Sequence, residues 1–136
     1  MKRVGLAGLL LCVLLLVSKL FAYPTINSFL TVEALPSGGT LNDVYSGVVI
    51  TNIGATGAQT VNLPRAIKGL QIIYSLAVAQ DVDIDPQTGD KILGLTDMPG
   101  DKISSDAVIR TTVELVALDD TNWLPIRTQG TWTDAN

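Results

Sequence analysis

Past Ala22 no stretch of this chain spaces its apolar residues as a helix would. Short runs of alternating or β-branched residues are instead cut by Gly, Pro, Asn and Asp every few positions. That texture predicts strands and tight turns. The expected strands are Phe29 to Ala34, Gly47 to Asn52, Gln59 to Leu63, Leu70 to Val78, Thr112 to Leu118, Trp123 to Arg127 and Gly130 to Thr133, with a single helical turn over Ala66 to Gly69. In the run Thr112 to Leu118, Val113, Leu115 and Ala117 fall on one face and Glu114, Val116 and Leu118 on the other, so the strand is expected to be buried on most of both faces. The fold class is all-β: a small β-sandwich, jelly-roll-like domain or short β-roll.

The chain has 136 residues, room for a single domain of ordinary size. Residues 1–22 differ from the rest. Met1, Lys2 and Arg3 precede an almost purely apolar run from Val4 to Val17, and Ala22 stands before Tyr23 and Pro24. This is the pattern of a signal peptide, with an N-terminal membrane anchor as the alternative. Residues 23–136 form the single β-rich domain, secreted or at the cell surface, with any membrane contact made only through the leader.

Composition narrows the chemistry. The chain has no His, and its one cysteine, Cys12, lies in the leader. His general bases, Cys nucleophiles and His/Cys zinc sites are thereby excluded from the domain, as is an internal disulfide. Lys2, Arg3 and Lys19 account for three of the nine basic residues, so the domain carries six against thirteen acidic, a net charge of −7 without a basic stripe. Nucleic acid is not an expected partner.

Gly89-Asp90-Lys91-Ile92 recurs as Gly100-Asp101-Lys102-Ile103. Each copy predicts a turn followed by a strand: glycine supplies the positive φ, Asp and Lys face water, and isoleucine returns to the core. Two copies fit stacked β-rungs or a hairpin with matching corners.

The run Ser46-Gly47-Val48-Val49-Ile50-Thr51-Asn52-Ile53-Gly54-Ala55-Thr56-Gly57-Ala58-Gln59-Thr60-Val61-Asn62-Leu63-Pro64, followed by Ile84-Asp85-Pro86 before Gly89-Asp90 and by Leu115 to Asp119 before Asn122-Trp123 and Gly130-Thr131-Trp132, resembles a pattern common in bacteriophage virion proteins. The similar domains are terminal modules of phage fibre, spike and head-decoration proteins. The resemblance spans roughly Phe29 to Asp134. It implies a non-enzymatic structural or attachment module of a virus particle or extracellular assembly, a homo-oligomer (a trimer in fibre-like members), and a virion or cell-surface partner. It brings no catalytic residues.

Three sets of side chains are candidate sites. Alternation puts Asp81, Asp83 and Asp85 on one strand face, and with Asp90 nearby their oxygens form a Ca²⁺ candidate. The run lacks the sixth-position glycine and twelfth-position glutamate of a calcium loop, so a solvated acidic face is the plainer reading. No other cofactor is expected. Trp123 and Trp132, both beside turns, could stack on sugar rings, as an alternative secreted carbohydrate- or surface-binding domain requires; core packing is the competing reading. Asp106 and Asp119-Asp120 could be cast as glycosidase carboxylates, but Asp119-Asp120-Thr121-Asn122 is the sequence of a hairpin corner. Gly54-Ala55-Thr56-Gly57 and Ser37-Gly38-Gly39-Thr40 are read as loops, not phosphate cradles, since no Lys-Ser/Thr or helix follows.

Overall fold

A computed structural model describes residues 31–136; the leader, residues 1–22, and Phe29 and Leu30 of the first expected strand lie outside them. Among the described residues no helix is long and apolar enough to cross a membrane.

Eleven strands are described: β1 Val32–Ala34, β2 Gly39–Thr40, β3 Val49–Thr51, β4 Gln59–Asn62, β5 Gln71–Ser75, β6 Val82–Asp85, β7 Lys91–Ile92, β8 Ile103–Ser105, β9 Thr112–Ala117, β10 Asn122–Gln129 and β11 Trp132–Asp134. They form two mixed sheets: sheet A in the order β1-β3-β5-β9-β10-β7 and sheet B in the order β11-β8-β6-β4-β2. The domain is all-β, as its turn-punctuated sequence predicts.

The first six strands alternate between the sheets, and every neighbouring pair among them is parallel. In sheet A Val32 pairs with Val49 and Val49 with Ile73, coils of 17 and 24 residues. In sheet B Gly39 pairs with Val61 and Gln59 with Val82, coils of 22 and 23 residues. The chain is thus wound around its own core, one strand per sheet per coil. Winding stops after β6, where β8 pairs antiparallel to it, and the β9–β10 hairpin fills the space between β5 and β7.

Inward side chains of both sheets make one core. Ile50, Tyr74 and Val113 form one row across sheet A, Ile72 and Leu115 the next, and Val61, Ile84 and Ile103 a row across sheet B, all at most 1% exposed. Burying each such side chain contributes about 1.5–3 kcal/mol. A polar bridge crosses between the sheets: Tyr74 Oη donates to Gln59 Oε1 (3.4 Å), and Gln59 Nε2 donates to Pro36 O. Burial pushes the Tyr74 phenol from 10.0 up to about 12. Between those values the unfolded chain releases a proton that the folded chain keeps, so stability is whole below pH 10 and falls as pH rises, by up to roughly 3 kcal/mol. Tyr74→Phe should remove this alkaline loss, which urea midpoints measured below and above pH 10 will show.

The two Gly-Asp-Lys-Ile copies feed opposite sheets. Gly89 and Gly100 have φ of 95° and 85°, Ile92 enters sheet A through β7 and Ile103 enters sheet B through β8, both fully buried. Gly100 N donates to Asp90 O (2.7 Å), so one turn rests on the other. The expectation that both aspartates face water needs correcting, because Asp90 is 4% exposed and its carboxylate accepts from Ala66 N (2.7 Å).

Other boundaries also differ. Ala66 to Gly69 forms no helical turn: Asp90 holds Ala66 N, and Leu70 N closes a tight turn on Ile67 O (3.0 Å). The strand expected to reach Val78 ends at Ser75, since Asn52 takes Ala77 N and Val78 N. Gly39–Thr40, read as loop, forms the two-residue β2, and a short 3-10 turn at Asp43–Tyr45, capped by Asn42 Oδ1, was not anticipated.

Candidate functional site

The four acidic candidates do not meet at one site. Asp83 and Asp85 lie on the outer face of β6, and Asp81 precedes the strand. Lys102 sits among them, bonding Asp83 Oδ2 at 2.5 Å. The bond and charge of Asp83, followed by the charges of Asp85 and Asp81, raise the Lys102 ammonium above its ordinary value. Asp81 Oδ1 accepts from Ser104 Oγ (3.1 Å) and Ser105 Oγ (3.3 Å). Asp90 is apart from this group, buried beneath the turn at Ala66. Among the described residues no three metal-ligating side chains are grouped to hold an ion.

Both tryptophans point inward. Trp123 is fully buried in register with Ala117 and Ile92, and its Nε1 has no hydrogen-bond partner. Trp132 is 7% exposed and donates Nε1 to Thr112 O (3.1 Å). Neither offers a free ring face for stacking, so the arrangement is the core packing weighed beside the sugar platform.

Asp106 and Asp119 organise turns at opposite ends of β9. Asp106 Oδ1 accepts from Thr111 Oγ1 (2.5 Å) and Val108 N (3.2 Å), and its Oδ2 from Thr131 N (2.8 Å). The Thr111 and Thr131 bonds hold this carboxyl below its ordinary range. Asp119 accepts from Asn122 Nδ2 and from Thr121 N and Oγ1, which lowers it likewise, as the hairpin reading predicts. The strand between them spans about 20 Å, whereas glycosidase carboxylates face each other at about 5–9.5 Å. Among the described residues, surface depressions are small. One, of about 280 Å³, lies beside Arg65, Gln87 and Asp90, and another, of about 240 Å³, beside Leu93, Leu95 and Ile126. Both fall below the usual 300–1,000 Å³ of small-molecule sites.

What the folding does create is a contrast between sheet edges and sheet faces. Edges are guarded. The terminal strands β2 and β7 have two residues each, and Glu33 on edge strand β1 shares the inward parity of its partner Ile50. Beyond its pairing with β7, β10 carries Pro125 and a bulge between Pro125 and Arg127. Short strands, a charged residue on the edge, proline and a bulge all oppose strand addition.

The outer faces are unlike each other. Sheet B presents Thr60, Asp83, Ser104 and Thr133 in one register row and Asn62 and Asp85 in another, with no apolar side chain. Sheet A presents Val32, Val49 and Ile73 in register on three adjacent strands, and Val116 paired with Leu124 on the next two. Val49, Ile73 and Val116 are half-buried, Val32 is 62% and Leu124 38% exposed, and Leu118, on the same side by alternation, is 50% exposed. Between the two apolar groups Gln71 Nε2 donates to Glu114 Oε1 (2.5 Å). Sequence reading treated Val116 and Leu118 as buried; the strand pairings show that they join an outward apolar surface.

No family model matches this chain, and no curated protein matches it.

Proposed function

We propose that this chain is a non-enzymatic structural or attachment module, belonging to a virus particle of fibre, spike or decoration type or to an extracellular assembly, and that it works as a homo-oligomer. The observation that carries the reading is the pairing of guarded edges with one apolar outer face: the fold resists open-ended strand addition yet leaves a surface suited to specific packing. The carboxylates weighed as site residues support it: Asp106 and Asp119 hold turns, Asp83 pairs with Lys102 and Asp90 caps a buried turn. The alternative of a carbohydrate-binding domain needs exposed aromatic faces, and both tryptophans are buried. A domain stabilised without disulfides gains from covering such a face.

Sedimentation equilibrium of the whole chain across the micromolar range tests the proposal. A defined, reversible oligomer is the expected result; a stable monomer throughout would overturn it.

A further inference from the structure

Resting on the assembly reading above, we propose that the partner on the outer face of sheet A is a second copy of this chain, packed same face to same face about a two-fold axis. Three observations select that occupant.

The first is polarity. A head-to-tail contact would set the apolar face of sheet A against some other surface of the molecule. The outer face of sheet B is polar and acidic, and the edges are short, bulged or charged. Of the sheet surfaces, only sheet A's own face matches it.

The second is charge. The sheet B face gathers Asp81, Asp83 and Asp85 around the single Lys102, so two copies meeting there would repel. Sheet A carries Glu114 and Arg127 in register on adjacent strands and Lys91 on the outer side of β7, charges of both signs, which a copy of the same face can answer. The domain as a whole is acidic, so a nearly neutral face is the place where copies approach at least electrostatic cost.

The third is area. The six strands hold 27 residues, which at about 3.3 Å rise and about 4.8 Å spacing make a face on the order of 400 Å² in projection. Pleated side chains expose more than the projected area, so a contact over the whole face falls at the small end of specific interfaces, below the ~800 Å² per partner of the standard size. Leu124 on β10 and Leu118, just past the end of β9, lie where such a contact would exclude water.

Sedimentation equilibrium on single variants of the whole chain tests this. Leu124→Glu and, independently, Leu118→Glu are expected to weaken self-association at least tenfold, while Thr60→Glu and Thr133→Glu on the opposite face leave it within twofold. Leu118 is half exposed beyond the end of β9, so its variant keeps the test alive if Leu124→Glu lowers the melting temperature too far. If the wild type associates and neither Leu variant weakens it, the face assignment is overturned and the assembly reading stands; association through the apolar leader would give that outcome. A monomeric wild type overturns the assembly reading itself.

Discussion

Gly38→Ala is expected to destabilise the domain by about 3 kcal/mol and to unseat its first coil. Gly38 has φ of +68°, and a Cβ there would stand 2.2 Å from Thr60 O. Positive φ alone costs a non-glycine residue about 1–2 kcal/mol. The clash adds more, because its other partner is a backbone carbonyl in β4, held between β2 and β6. The turn must lift away, and with it go the pairing of Gly39 with Val61 and the bond from Leu41 N to Asn62 O. Gly94 supplies the control: its φ is +74°, but a Cβ would meet nothing within 4 Å. Gly94→Ala should therefore show only the backbone cost. Urea unfolding gives both values, and equal losses at the two sites would refute the close approach of the first coil to β4.

A loss of about 3–4 kcal/mol is expected for Asn52→Ala. Asn52 is fully buried just after β3. Its Oδ1 accepts from Ala77 N (2.7 Å) and Val78 N (2.9 Å), and its Nδ2 donates to Val78 O (2.9 Å). One side chain thus fastens the turn after β3 to the turn after β5, replacing the ladder bonds that end at Ser75. Truncation leaves two amide hydrogens and a carbonyl without these partners; each such bond is worth about 1 kcal/mol net, and each orphaned group costs a further 1–3 kcal/mol where water cannot reach it. Asn52→Asp keeps both acceptor bonds but sets a carboxylate oxygen against Val78 O, so its loss should be smaller at acidic pH, where that oxygen can carry a proton. Thermal melts of the two variants at neutral and acidic pH distinguish a hydrogen-bonding role from simple packing.

Both residues explain what was and was not legible beforehand. Turn glycines and the alternation of β9 are local signals, and the structure keeps them: Val113, Leu115 and Ala117 point inward and Gly89 and Gly100 have positive φ. The winding of the chain was not legible, because parallel pairing joins residues 17 to 24 positions apart with no signature in between. Strands β2 and β7, at two residues each, are too short to show a period. Partners distant in sequence also decided the candidate sites. Lys102, 19 residues from Asp83, occupies the middle of the acidic row. Asp90, 24 residues from Ala66, caps a buried turn instead of joining the other aspartates. Trp123 was ambiguous until its inward parity on β10 was fixed by pairing with Ala117.

The outer face of sheet A emerged the same way. Val32, Val49 and Ile73 lie far apart in sequence and become one apolar row only through parallel register. Its pairing with a second copy can be measured directly, since Cys12 is the only cysteine in the chain and replacing it with Ser permits a single spin label at any chosen position. Pulsed dipolar spectroscopy should find a short inter-copy distance for a label at Gln129, on the rim of sheet A, and a distance longer by about two sheet-to-sheet spacings, roughly 20 Å, for a label at Thr60 on the outer face of sheet B. A shorter distance from Thr60 than from Gln129 would contradict the account.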